Sequence, residues 1–276
     1  MALSLVGPTS SAQHFRLPEL LQDIRLLDLL ELSGSTVQAS QLLNLSQPTV
    51  SRRYRSLADD FGLLRDPRSA MHCRYGTSTA MRYLRLGSRA HRLGAGVARI
   101  GTDLMHHHLL NRCQGLLSVP LQCRSVDAWA ELVHQGVLDA ALISALELQA
   151  APHADIARLR LESLGVMPLA LASSGSDLRT VLVPHRGVSP GLHRALLNRD
   201  LKLKPISSQS LPAQQWLQRL SIDGTALAVD PACCAPGGWA EGLNVMTLRR
   251  ELSSSVVLLL PRCDNLPLVL PEPQTS

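Results

Sequence analysis

Residues 17–32, "LPELLQDIRLLDLLEL", bring Leu20, Ile24, Leu27 and Leu30 back at spacings of four and three, which predicts a helix with one apolar stripe. Gly34 predicts its end. Ser35 followed three residues later by Gln38 is a capping-box pattern and predicts a second helix through about Leu43. Asn44-Leu45 reads as a short turn and Ser46 as the N-cap of a third helix. Pro48 falls in that helix's first turn, where a missing N–H costs nothing. There Val50, Tyr54, Leu57 and Phe61 define a buried face. Arg52 lies about 200° and Arg55 about 140° from Val50, so both point away from the core, with Arg53 on the shoulder.

Downstream, "LLRDPRSAMHCRY" (63–75) reads as two short extended pieces around Asp66-Pro67, a hairpin that would present Arg65, Arg68 and Arg74. Tyr83, Leu86, Ala90, Leu93 and Val97 then follow an a/d pattern over two heptads. That pattern fits a helix packed on its own domain or a dimerisation helix. From residue 97 onward strands and helices alternate. "VARIGTD", "LLSVPLQC" and "VLDAALIS" read as strands, and "SVDAWAELVHQG" as a helix with Ala128, Leu132 and Val133 inward. The alternation predicts a parallel sheet with crossover helices. Pro152 marks a crossover into a second lobe of further strands and helices that runs to "SSVVLLLPR".

Charge sharpens this division. Residues 1–100 hold 13 Arg and no Lys against 7 Asp/Glu, a net of +6, whereas residues 101–276 hold 14 basic against 15 acidic residues. A basic N-terminal third joined to a near-neutral remainder suits a polyanion-binding module. The six cysteines (73, 113, 123, 233, 234 and 263) form no C-x-x-C pair, so a reducing cytoplasm is the expected setting. The opening "MALSLVGPTSSAQHF" lacks the pattern of a signal peptide, and "VVLLL" is too short to span a bilayer, so no membrane role is expected. His106, His107 and His108 point about 100° apart on a helix and have no acid or Cys at ligand spacing, so no metal is expected. Cys233 and Cys234 read as buried free thiols. No Gly-rich phosphate loop, Ser-His-Asp order or H-E-x-x-H is present, so an enzyme has no support and no cofactor is expected.

The stretch "SGSTVQASQLLNLSQPTVSRRYRSLADDFGLLR" (33–65) resembles the LysR-type transcriptional regulators. It has Gly-Ser after the first helix, Ala-x-x-x-Leu in the second and Ser-Gln-Pro-x-x-Ser opening the third. "RIGTD", "ELVHQGVLDAALI" and "IDGTALAVDP" are similar to segments of that family's effector domain. The resemblance implies an N-terminal all-α winged helix-turn-helix (17–76), a linker or dimerisation helix (77–96) and a C-terminal α/β, two-lobed, periplasmic-binding-protein-like effector domain (97–276). It implies a homodimer or homotetramer on double-stranded DNA. Gln47, Pro48, Thr49, Ser51 and Arg52 would lie at the groove and Arg53, Arg68 and Arg74 nearer phosphates, with Arg55 a further DNA-binding residue. A small-molecule effector would sit in the interlobe cleft against Thr102, Asp103, Arg124, Ser125, Ser144, Ser208 and Gln209, and Arg124 would suit an anionic one. Surface or capping roles compete at each of these positions, above all at Ser125. Two alternatives stay open: a small-molecule-binding protein of this fold whose DNA-binding module has decayed, and a structural DNA-binding protein that takes no ligand.

Overall fold

The computed structural model describes residues 18–65, 74–103, 105–110, 113–150, 156–175, 180–206, 213–223, 226–236, 238 and 240–261. Three helices open it: α1 (Glu19–Ser33), α2 (Thr36–Leu43) and α3 (Gln47–Phe61). Their ends follow from local chemistry. Gly34 closes α1 and Gly62 closes α3, both in the left-handed region at φ of 66° and 62°, where a side chain would be strained. Ser35 Oγ accepts the Val37 N–H at the start of α2, and Ser46 Oγ accepts the Thr49 N–H at the start of α3. Ile24, Leu27 and Leu30 of α1 pack with Ala39, Val50, Leu57 and Leu63 into one core.

Helix α1 departs from its expected single stripe. Its Leu29 and Leu32 belong to a second core, with Trp129, Leu132, Val133, Val137, Ile143 and Leu259 of the α/β part. Every residue from Leu26 to Ser33 is buried. The first helix is therefore shared between two apolar clusters, which the run "LLDLLEL" permits because leucines occupy both faces.

Helix α4 (Thr79–Gly94) leads into a seven-stranded sheet of order β1-β2-β7-β3-β6-β4-β5. Its strands are β1 (Ile100–Thr102), β2 (Ala140–Ser144), β3 (Leu159–Ser173), β4 (Thr180–Pro184), β5 (Lys202–Ile206), β6 (Ala226–Val229) and β7 (Asn244–Pro261). The helices between them are α5 (His107–Leu110), α6 (Val126–His134), α7 (Ala145–Ala150), α8 (Pro190–Leu197) and α9 (Ala213–Asp223). The sheet is mixed, which corrects the expectation of a parallel one. β1–β2, β4–β5 and β4–β6 are parallel, while β7 runs antiparallel to β2 and β3, and β3 antiparallel to β6.

At 15 and 18 residues, β3 and β7 are far longer than an ordinary strand of about five or six. They pair with each other from Leu159↔Pro261 to Ser173↔Asn244. One end of that ribbon extends the sheet through β2 and the other through β6, so two ribbon strands join both halves. "LLSVPLQC" is not a strand beyond a single bridge, Ala98↔Leu116. It meets the free edge of the sheet only at the approach to β1, and Pro120 has no N–H to offer a longer ladder.

Candidate nucleic-acid interface and effector site

Helix α3 turns its polar face outward as the apolar spacing requires. Val50 is fully buried and Leu57 nearly so, whereas Gln47, Pro48, Arg52 and Arg55 are exposed and Thr49 and Ser51 half-buried. Thr49 Oγ1 shares a 2.8 Å hydrogen bond with Ser46, and Gln47 Nε2 donates to Thr36 Oγ1 at 3.2 Å, which ties the N-terminus of α3 to α2. Among the described residues no carboxylate pairs with Arg52 or Arg55. Arg53, on the shoulder, pairs with Asp23 of α1 at 2.8 Å, with both side chains about two-fifths exposed.

The other expected DNA contacts divide. Residues 66–73 lie outside the described residues, so the hairpin and Arg68 do too. Arg74 turns inward: its Nη1 donates to Gly34 O at 3.4 Å. Its backbone N–H and that of Tyr75 donate to the Glu31 carboxylate at 2.9 and 2.7 Å. Burial raises the pKa of Glu31, and these two N–H groups only partly offset it.

The feature that sequence reasoning missed is the inner face of α4. Met81, Arg85, Ser88, Arg89 and Arg92 are its buried residues, so three arginines face inward and the apolar stripe faces out. Tyr83 is 70 % exposed, and Leu86, Ala90 and Leu93 are half-buried. Two buried carboxylates account for the inversion. Asp28 of α1 accepts from Arg85 Nε at 2.8 Å and from Arg99 Nη1 at 2.6 Å. Asp139, just before β2, accepts from Arg92 Nη2 at 2.7 Å and from the Arg99 backbone N–H at 2.7 Å, with Arg89 Nε at 3.5 Å. The spacing of arginines every three or four residues was the available signal. Their acidic partners are 47 to 71 residues away on other elements, beyond the reach of a periodicity argument.

Arg124 is drawn into the same junction, away from any effector. It is 5 % exposed, its Nη2 donates to Glu31 O at 3.0 Å and Leu32 O at 2.6 Å, and it lies over the Trp129 ring at 5.6 Å. Gln122 Nε2 donates to Ser33 O at 2.6 Å. Together they satisfy the carbonyls at the C-terminus of α1, where a cation is favoured. Burial lowers the pKa of Arg124 to about 10, with Glu31 opposing. The anionic effector expected from Arg124 therefore loses its handle: the guanidinium is committed to α1.

The remaining effector candidates are scattered. Ser125 caps α6 through the Ala128 N–H, as its competing role foresaw. Ser144 is fully buried, bonded to Ser254 and to the Leu146 N–H. Ser208 and Gln209 lie outside the described residues. Thr102 ends β1 and donates to Asp103 O at 3.3 Å, while Asp103 accepts from His106 Nδ1 at 2.7 Å. Burial opposes the charge on His106, yet the Asp103 carboxylate outweighs it and the pKa is raised. His108 Nδ1 lies 3.3 Å from the buried Cys233 Sγ. Among the described residues no cluster of His, Cys, Asp and Glu could hold a metal ion, and no helix is long and apolar enough to cross a membrane.

No family model and no curated protein matches the chain. Solved structures similar to it include LysR-family regulators. Full-length CbnR complexed with its target DNA is 14 % identical, over 90 % of this chain and 94 % of that one, at a TM-score of 0.46. Vibrio fischeri DarR in complex with DNA is 14 % identical over 91 % and 96 %, at 0.40. Full-length LysG from Corynebacterium glutamicum with bound effector Arg is 16 % identical over 87 % and 91 %, at 0.38. All three scores lie below 0.5, so function has to be argued from the chain's own residues.

Proposed function

We propose that this chain is a DNA-binding transcriptional regulator of LysR type, reading DNA through a helix-turn-helix and responding to a small molecule. The observation that carries the reading is α3. Its N-terminal half projects Gln47, Pro48, Thr49, Ser51, Arg52 and Arg55 from a rigid three-helix core, and Arg52 and Arg55 have no described carboxylate partner. A helix so presented fits the major groove, where an arginine can bond bidentately to guanine. The sheet halves built on β1–β2 and on β4–β6 read as the two lobes of a periplasmic-binding-protein-like effector domain, joined by β3 and β7. The test is fluorescence anisotropy on the duplex upstream of the chain's own gene, with a scrambled duplex as control. Arg52→Ala should weaken preferential binding by about fivefold or more, in line with about 1–3 kcal/mol per base contact. Equal affinity of the variant and the parent would remove α3 from the interface.

A homodimer is part of the proposal. The outward stripe of α4, Tyr83, Leu86, Ala90 and Leu93, is flanked by the exposed Gly87 and Gly94, which let a second helix approach closely. Val97, the last member of the expected heptad pattern, is buried in its own chain and takes no part. Tyr83→Glu combined with Ala90→Glu should shift sedimentation velocity from dimer to monomer while far-UV circular dichroism stays unchanged. A variant that remains dimeric would place the interface elsewhere.

A further inference from the structure

A cavity of about 310 Å³ lies against β1, between the apolar face of the first half of the sheet, α5 and the extended segment 116–121. That volume is in the range of small-molecule sites. Its lining is about as polar as it is apolar: Ile100, Leu110, Leu117 and Val119 supply apolar wall, and Thr102, His107 and Ser118 supply polar side chains. Among the described residues no Asp, Glu, Lys or Arg lines it. Burial lowers the pKa of His107, and His108 lowers it further, so the imidazole enters neutral with one donor and one acceptor. Among the described residues, the arginines that flank this part of the chain, Arg99 and Arg124, are spent on Asp28 and on the end of α1. Segment 116–121 touches the β1 region through the Leu117 N–H to Ala98 O bond at 2.8 Å. Its apolar side chains stay half-buried, so a molecule filling the space would remove further apolar surface from water. An unpaired carboxylate there would be strongly disfavoured.

We propose that this cavity is a ligand site for a compact, uncharged molecule with one apolar and one polar side, oriented by hydrogen bonds to Thr102, His107 or Ser118. It deepens the regulator reading by giving the effector a chemical class, and rests on that reading only for what binding would control.

The full chain is titrated with N-phenyl-1-naphthylamine, a neutral probe that fluoresces in apolar surroundings. The expected result is a saturable enhancement, displaced by cyclohexanol and not by the same concentration of cyclohexanecarboxylate. Leu117→Asp should weaken the probe at least tenfold. Leu117→Phe, which keeps the wall apolar but fills the space, should do likewise and serves if the first variant fails to fold by circular dichroism. Absence of saturable binding, or binding that neither folded variant changes, overturns the site; equal displacement by the carboxylate overturns the ligand class. DNA anisotropy on the same preparation separates the two readings. Intact sequence preference without probe binding sinks this inference alone, and probe binding without sequence preference sinks the regulator reading alone.

Discussion

Asp28→Ala should destabilise the chain by about 3–5 kcal/mol, the cost of leaving a buried charge without its partner. Its carboxylate is fully buried and holds two guanidinium groups at once, Arg85 from α4 and Arg99 from the approach to β1. Neither arginine has solvent to retreat to, because their side chains are 2 % and 5 % exposed. Burial already disfavours the charged form of Arg99 and lowers its pKa, with Asp28 working against that. Removing the carboxylate thus uncovers two desolvated cations. The control is Asp23→Ala, which breaks a pair whose side chains are 41 % and 42 % exposed and should cost less than about 1 kcal/mol. Urea denaturation of the two variants beside the parent decides the matter. A loss at Asp28 no larger than at Asp23 would mean the network does not hold the helical part to the sheet.

The second large effect depends on pH. Glu147 of α7 reaches the N-terminus of α8, where its oxygens accept the Gly191 and Leu192 N–H groups at 2.9 and 2.8 Å. One helix follows β2 and the other follows β4, so this contact latches the two halves of the sheet. The packing is close, since a Cβ on Gly191 would lie 2.1 Å from Leu146 O. Burial raises the Glu147 pKa from 4.5 to about 7 even though both N–H groups favour the carboxylate. The native state therefore holds this proton more tightly than the unfolded chain does. Its contribution is fully present below about pH 4.5 and is lost as the pH rises to about 7, on the order of 3 kcal/mol across that window.

Glu31 and His106, whose pKa values are also raised, move stability in the same direction, and His107, lowered, in the opposite one. The comparison that isolates the latch is thus parent against Glu147→Gln, by urea midpoint at pH 5 and pH 8. The parent should lose more stability than the variant between the two values. Parallel losses would show that Glu147 titrates as an ordinary carboxylate and that the latch carries no pH dependence.

Where partners sit close along the chain, the sequence was a sufficient guide. The three N-terminal helices, their Ser35 and Ser46 caps and the Gly34 stop depend on residues within one or two turns. The outward direction of Arg52 and Arg55 follows from 3.6-residue geometry alone. Strands β1 and β2 were legible because short apolar runs bounded by turns have few other uses. What the sequence could not determine is which surface each face meets. The apolar stripe of α4 fitted packing on its own domain or on a second copy, but Asp28 and Asp139, brought up from distant elements, make burial of Arg85, Arg89 and Arg92 possible and leave Tyr83 exposed and Leu86, Ala90 and Leu93 half-buried. Arg124 looked like an anion handle after a strand, yet the folded chain sets it against the carbonyls ending α1. The second face of α1, the length of β7 and the cavity behind segment 116–121 have the same origin. Periodicity reports how a segment is sided, but only the packed chain brings together the distant charges and surfaces that decide which side is worth burying.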